Sequence, residues 1–210
     1  PPTRPACPNP HGGTCLGPLP RGEYHTTTFA PAITYEVPDG WMNMEDLPGN
    51  FWLYLQEDAG GQSPARGGSY LGTYNTVNAA SIDCRDAPQE GVGATSTELM
   101  EWYQSLPGLI ASEPVSVTVG GLDGLQIDLT LREGDQTCSF DGSFGVPLII
   151  GNGVSSLHHV MGEEMDIRLV VLDWGGRNVT LEITNVREQH SAEEFRSQLQ
   201  PINDSLVFEE

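Results

Sequence analysis

Two stretches of the sequence have strand-forming residues on both sides of a glycine-containing turn, and they decide the fold class. One predicts strands at Val115–Val119 and Leu125–Leu131 around a Gly-rich turn, and the other at Ile167–Leu172 and Asn178–Thr184 around residues 173–176. Two strand-forming segments joined by a short glycine-containing turn are typical of antiparallel β-hairpins. The chain is therefore expected to build an antiparallel sheet.

Four more segments have the β-branched and aromatic residues of strands: Ala32–Val37, Phe51–Glu57, and residues 69–74 and 146–151. The stretch 38–50 between the first two is dense in turn residues, and we predict a long connection there. About eight strands are expected in total.

Two segments have the features of amphipathic helices. Thr95 and Glu98 have capping-box spacing before a segment that ends at Pro107 and Gly108. Ser191 and Glu194 repeat that spacing before a final helix, in which Pro201 should cause a kink or lie on the solvent side. The helices follow strands rather than alternating with them, so we predict an α+β fold, a mostly antiparallel sheet with two short helices packed on it.

The 210 residues suffice for one large domain with a sizeable core. Residues 1–26 are rich in proline and glycine at the start, and we interpret them as an extended N-terminal segment pinned by a disulfide. Residues 27–210 are predicted to form a single α+β domain. No linker that would require a second domain is visible.

Cys7, Cys15, Cys84 and Cys138 form an even set that allows three pairings. Cys7 and Cys15 enclose a loop rich in proline and glycine, so we predict that they bond to each other and that Cys84 bonds to Cys138. The paired CxxC or CxxH spacing of a zinc site is missing. A lipid on Cys7 is an alternative use of that cysteine.

Two disulfides indicate an oxidising compartment. The sequence shows no apolar run of transmembrane length and no signal peptide, so we interpret the chain as the mature part of an exported protein, extracellular or associated with the cell envelope.

The chain has 29 acidic residues against nine basic ones, all arginine, which gives a formal net charge of −20. Such a charge repels phosphate backbones and anionic lipid surfaces, so we predict no nucleic-acid partner. It attracts cations and basic partners, and cation binding is an alternative to an acidic coat that serves solubility.

Several segments resemble secreted actinobacterial proteins of unknown function: the VPDGW turn, the helix ELMEWYQSLPGL, the strand pair VLDWGGRNVTLEI and the last helix EEFRSQLQPINDSLVF. More distantly, the layout over Thr27–Phe208 is similar to the Mog1/PsbP-like α+β sandwich. Members of that wider fold serve as photosystem extrinsic subunits, small-GTPase partners and exported lipoproteins. They share no catalytic residue set, so the resemblance assigns no residue a role.

Trp41 and Trp174 are candidate ligand-binding residues. The resemblance implies that the ring of Trp41 covers the sheet edge, and its place beside an apolar strand also favours a core position. Trp174 lies at a hairpin tip, where an exposed apolar ring is costly without a partner.

His158 and His159, with Glu163 close by, are the candidate metal ligands. Adjacent residues of a strand point to opposite faces, which disfavours one site that holds both imidazoles. The sequence has no nucleophile elbow, Walker A loop, dinucleotide fingerprint or EF-hand loop, so we predict no cofactor and assign no catalytic residue.

We therefore expect an exported, non-catalytic binding or accessory module whose ligand is an unknown protein or small molecule. The alternatives are an extracellular hydrolase with a site built from loops, and an envelope protein that self-associates through a sheet edge.

Overall fold

The computed structural model describes residues 16–57, 68–132, 138–140, 143–151 and 158–209. This part of the chain contains sixteen strands and two helices. The strands are β1 (Gly17–Leu19), β2 (Gly22–His25), β3 (Ile33–Val37), β4 (Trp41–Asp46), β5 (Asn50–Leu55), β6 (Tyr70–Asn75), β7 (Val77–Ala79), β8 (Leu109–Ala111), β9 (Val115–Val119), β10 (Leu122–Leu131), β11 (Cys138–Phe140), β12 (Ser143–Gly151), β13 (His158–Met161), β14 (Met165–Trp174), β15 (Arg177–Val186) and β16 (Val207–Phe208). The helices are α1 (Ser96–Ser105) and α2 (Ala192–Ser205).

The main sheet has nine strands, and all of its pairs are antiparallel. Its order is β1-β4-β5-β6-β15-β14-β10-β8, with β9 beside β8 on the outer edge of β10. Both predicted hairpins are confirmed as β9–β10 and β14–β15. The fold is therefore mostly antiparallel sheet with two helices.

Each face of the main sheet carries its own apolar core. Leu169 and Val171 of β14 pack with the buried residues of α1, and Val170 and Leu172 pack with those of α2. We call these sides the α1 face and the α2 face. Because successive strand residues point to opposite faces, one apolar strand contributes to both cores.

Two smaller sheets cover the main sheet, one on each face. The strands β11, β12, β13 and β7 form a four-stranded sheet whose Val146, Leu148 and Met161 join the core of the α1 face. The strands β16, β3 and β2 form a three-stranded sheet whose Ile33 and Tyr35 join the core of the α2 face.

The connection predicted at residues 38–50 is wrong, because Trp41–Asp46 form β4. A bulge between Asn43 and Glu45 interrupts the pairing of β4 with β5 and hides the period of two in the sequence. Gly40, with φ of +94°, completes the tight turn before Trp41.

The predicted helix starts are confirmed, since Thr95 and Ser191 both form capping boxes with the glutamates three residues later. Pro201 lies inside α2 on its exposed side. Residues 17–25, which the sequence assigns to the N-terminal segment, pair with β4 and β3 as β1 and β2.

The predicted disulfide between Cys84 and Cys138 is confirmed, with Cα atoms 5.5 Å apart. It links the loop after β7 to β11, the outer strand of the four-stranded sheet. The predicted bond between Cys7 and Cys15 lies outside the described residues. Neither of the described helices is long and apolar enough to cross a membrane.

Candidate functional site

Polar side chains fill the centre of the α1 face. Asn178, Thr180, Glu182 and Thr184 alternate along β15, and each is at most 1% exposed. The four-stranded sheet and α1 cover this face. These four polar side chains, whose alternation is typical of a solvent-exposed strand face, are therefore buried inside the protein. Each of these groups consequently needs a partner within the fold.

One row of paired residues crosses four strands at this level. Glu182 of β15 pairs with Gly72 of β6, Gly72 pairs with Trp52 of β5, and Trp52 pairs with Glu45 of β4. A Cβ at position 72 would overlap the hydroxyl of Tyr74. Only glycine leaves the space into which the Tyr74 phenol fits between Glu182 and Trp52.

His159 reaches this space from β13 of the four-stranded sheet. Its ring centre lies 5.0 Å from that of Tyr74 and 5.6 Å from that of Trp52, in edge-on arrangements. The Tyr70 hydroxyl lies 3.2 Å from Nδ1 of His159, and the Tyr74 hydroxyl lies 3.3 Å from both ring nitrogens. Trp52, Tyr70, Tyr74, His159 and Glu182 form what we call the His159 cluster.

The carboxylate of Glu182 organises the His159 cluster. Its Oε1 accepts hydrogen bonds from the hydroxyls of Tyr70 at 2.7 Å and Thr184 at 2.9 Å. Its Oε2 lies 2.7 Å from Nδ1 of His159. That contact has the length of an ion pair but not the alignment of a hydrogen bond, because no donor of the described residues is aligned with Oε2.

The surroundings of Glu182 hold it in the charged form. Burial alone would raise the pKa of Glu182, but the electrostatic attraction of His159 and the polar contacts with His159, Tyr70 and Thr184 outweigh burial and keep the pKa below its ordinary value. Burial and the nearby negative charge of Glu182 raise the pKa of Tyr70 and Tyr74, so both phenols stay protonated and can donate.

Glu45 and Trp52 form the outer end of the row. Burial raises the pKa of Glu45, although a hydrogen bond from Asn50 and the charge of His159 act in the opposite direction. The indole Nε1 of Trp52 is buried and has no hydrogen-bond partner among the described residues. A buried donor without a partner is costly and is well placed to bind an acceptor group.

An imidazole whose Nδ1 faces a carboxylate is held in a fixed orientation, and its Nε2 becomes the nitrogen that can accept or release a proton. The side chain of His159 is 13% exposed, whereas that of Glu182 is 2% exposed. The cluster can therefore present one polar imidazole edge beside aromatic rings while the carboxylate stays behind it. Its polar partners among the described residues are a carboxylate and two phenols.

Trp41 and Trp174 lie apart from the His159 cluster, on the α2 face. Trp41 is 1% exposed, pairs with Leu55 and packs on Phe195 of α2, with ring centres 6.0 Å apart. Trp174 ends β14 at the hairpin tip and folds back, partly buried, against the same core.

The three candidate metal ligands are only partly described. His159 lies in the cluster above, the side chain of His158 is outside the described residues, and Glu163 lies in the exposed turn before β14, where its carbonyl accepts a hydrogen bond from Arg187. Within the described ranges, no group of three or more His, Cys, Asp or Glu side chains could hold a metal ion.

The sequence indicated His159 but not its partners. Glu182 stands on a strand whose other face is apolar, so its strand pattern was typical of a solvent-exposed carboxylate. The useful signal was the glycine between two tyrosines in Tyr70–Tyr74, because a glycine inside a strand often marks a close approach of another group.

No protein-family model matches the chain, and no curated protein is a significant match to its sequence. Among solved structures, the cyanobacterial PsbP protein (CyanoP) of Synechocystis sp. PCC 6803 is 13% identical with a TM-score of 0.41, covering 94% of this chain and 98% of that one. LpqN, described as involved in cell envelope biogenesis of Mycobacterium tuberculosis, is 12% identical with a TM-score of 0.40, covering 92% and 90%.

A protein from Bacteroides thetaiotaomicron VPI-5482 is 13% identical with a TM-score of 0.40, covering 85% of this chain; this chain spans 45% of that protein's length. At these identities and scores, we draw no conclusion about function from the three structures. The Mog1/PsbP-like layout stays a prediction from the sequence.

Proposed function

We propose that this chain is an exported, non-catalytic binding module and that the His159 cluster is its ligand site. The observation that carries the proposal is the 2.7 Å contact between the buried carboxylate of Glu182 and Nδ1 of His159 inside the fold. A buried ion pair rarely stabilises a protein more than well-packed apolar residues would. Perturbed titratable groups that gather in one place are more typical of functional sites.

The chemistry of the cluster favours a small molecule with a flat face and at least one acceptor group. Trp52 and Tyr70 are partly exposed rings with centres 5.7 Å apart, on which a flat molecule can stack, and the buried ring of Tyr54 packs against both. Trp52 Nε1 and the His159 ring offer polar contacts at the edge of these rings. Glu45, Glu182 and the net charge of −20 disfavour anions, so the ligand is neutral or cationic.

Export is supported by the disulfide between Cys84 and Cys138, because such bonds persist in oxidising compartments. In this proposal the described residues, with β1 and β2 included, form one domain with a Mog1/PsbP-like sandwich arrangement.

Thermal unfolding and tryptophan fluorescence in the presence of tyramine, uracil, glucose and N-acetylglucosamine test the ligand site. We expect at least one probe to raise the melting temperature and to change the emission, because a ligand of the folded state stabilises it by mass action. The His159→Gln variant should lose both responses. The His25→Gln variant, which changes an exposed histidine on β2, should keep them.

The site assignment is wrong if all four probes leave both signals unchanged at millimolar concentration. It is also wrong if the His159→Gln variant still responds to a probe. Circular dichroism that matches the wild-type spectrum would show that this variant is folded.

Hydrolysis is the second candidate, because a carboxylate 2.7 Å from Nδ1 of an imidazole is also the arrangement of a general base. Turnover of p-nitrophenyl acetate by the wild-type protein, abolished by His159→Gln and kept by His25→Gln, would favour an enzyme over a binding module. Equal background rates for the three proteins would dismiss it.

A further inference from the structure

The strand β9 is an open edge of the main sheet. Among the described residues it pairs with β10 alone, and its sequence, Val-Ser-Val-Thr-Val, has no charge or proline. Open edges of this composition are templates for strand pairing, and proteins commonly block them with charges, prolines or bulges. This edge has none of these within the strand.

The hairpin turn decides which backbone groups face outwards. Gly120 and Gly121 both have positive φ, at +59° and +86°, as in a two-residue turn that places Val119 and Leu122 in a hydrogen-bonded pair. Because such pairs alternate in an antiparallel ladder, Ser116 and Thr118 direct their N–H and C=O groups away from β10. Both residues are exposed.

Apolar side chains accompany this open edge. Val115 of β9 is 56% exposed, and Ile110 of β8, on the same side of β10, is 54% exposed. They are two of the four large apolar residues that are exposed in the described part of the chain. The edge therefore offers apolar contacts in addition to backbone hydrogen bonds.

An acidic groove of about 490 Å³ runs beside β9 on the α1 face. Ser116 and Thr118 form one wall, the start of α1 forms the other, and Asp123 and Asp173 contribute carboxylates. Each carboxylate is positioned by a hydroxyl: Thr118 donates to Asp123 at 2.6 Å, and Ser96 donates to Asp173 at 2.8 Å. None of the described residues that line the groove is basic.

We propose that β9 and this groove bind an extended segment of a partner protein that carries lysine or arginine. The segment adds to the main sheet as a further strand and pairs with the outward groups of Ser116 and Thr118. Residues directly opposite each other share a face of the sheet, so its side chains opposite Ser116 and Thr118 enter the groove. A basic side chain there meets Asp123 and Asp173.

The charge of the chain selects a basic partner over a second copy. Two copies that each carry a net charge of −20 repel one another, whereas a basic segment is attracted over a distance set by the ionic strength. This surface is separate from the His159 cluster, and the inference does not depend on the proposed function.

Fluorescence anisotropy with a labelled peptide that alternates lysine with valine tests the inference, with a matched glutamate peptide as the control probe. We expect the lysine peptide to bind at least about tenfold more tightly than the glutamate peptide, and to weaken as salt is added. Asp123→Asn should weaken binding by about tenfold, as expected for one charge pair. Glu193→Gln, an exposed acid on α2, should leave binding unchanged.

Ser116→Pro tests the strand pairing itself. The N–H of Ser116 points away from β10, so proline spares the hairpin but removes a donor that an added strand needs. We expect binding to be lost while the melting temperature stays within a few degrees of wild type. If the variant is less stable than that, Thr118→Pro provides the same test, because Thr118 has the same orientation.

Three results would overturn the inference. These are equal affinity for the two peptides, no saturation at millimolar lysine peptide, and full binding by both proline variants. A concentration-dependent dimer of the wild-type protein in analytical ultracentrifugation, lost in Ser116→Pro, would show instead that a second copy occupies the edge.

Discussion

Glu182 remains charged inside the protein because Tyr70, Thr184 and His159 replace the water that it loses. The two hydroxyls supply hydrogen bonds at 2.7 and 2.9 Å to one carboxylate oxygen, and Nδ1 of His159 lies 2.7 Å from the other. Hydrogen bonds to charged groups are stronger than those between neutral groups, which makes these three neighbours costly to lose.

Substitution of Glu182 by glutamine should lower the free energy of unfolding at neutral pH by about 1 to 3 kcal/mol, the cost of disturbing a buried polar network. The pKa of Glu182 is lowered in the folded state, so its contribution is complete above the ordinary pKa of 4.5 and is lost as pH falls through the folded-state pKa. The difference between wild type and variant should therefore narrow below pH 4.5.

Urea unfolding of both proteins between pH 7 and pH 3 measures this difference. Glu193→Gln, which changes an exposed carboxylate, provides the control and should follow the wild-type curve. A difference between wild type and Glu182→Gln that stays constant over this range would contradict the lowered pKa.

The role of a residue could be predicted from the sequence only where its neighbours in the chain determine that role. The sequence selected His159 as a ligand candidate, but it paired the histidine with Glu163, which is close in the chain. The structure instead places His159, on the four-stranded sheet, against Glu182 of the main sheet. A contact between two sheets depends on which of their faces pack together, and the sequence around His159 does not show this. Trp41 beside an apolar strand was a favoured core residue, and it is buried there.

At the scale of elements, turns and caps act through neighbouring residues and were therefore readable from the sequence. The glycines of both hairpin turns and the two capping boxes are of this kind. The strand β4 was missed because a bulge breaks its alternation. Strands of two to four residues, such as β1, β7 and β16, are too short to show any period.

The disulfide between Cys84 and Cys138 closes a loop with a sequence separation of 54 that contains α1 and the whole of β8, β9 and β10. Replacing both cysteines with serine should lower the free energy of unfolding by about 4 kcal/mol, because the bond restricts the unfolded chain. Equilibrium unfolding in urea without reductant measures the loss.

A reductant should bring the wild-type protein to the stability of this double variant. Any further response of the variant to the reductant would report on Cys7 and Cys15. The assignment fails if thiol labelling of the unfolded, unreduced wild-type protein counts four free thiols.

At the scale of the whole molecule, two apolar cores share one sheet, and an acidic surface surrounds them. Both cores depend on β14, which has buried residues on each face. The 29 acidic residues outnumber the nine arginines by about three to one. Repulsion among the acidic residues opposes the compact state.

The melting temperature should therefore rise when NaCl is increased from about 0.01 M to 0.1 M, where the screening length falls from about 30 to 10 Å. Differential scanning fluorimetry measures the shift. CaCl₂ at matched ionic strength should give the same rise if screening alone acts, and a larger rise would indicate specific cation binding. A melting temperature that does not respond to NaCl would contradict the repulsion argument.

The missing side chain at Gly72 makes room for a contact among Tyr74, His159 and Glu182, which lie far apart in the chain. Because the Tyr74 phenol occupies the place of a side chain at position 72, an exchange to alanine in a descendant gene would displace the phenol from His159 and Glu182. In related sequences, we therefore expect substitutions at positions 72, 74, 159 and 182 to occur together. Joint retention of these four residues in a distant sequence would be a better mark of shared ancestry than the hairpin and cap signals, which unrelated folds also contain.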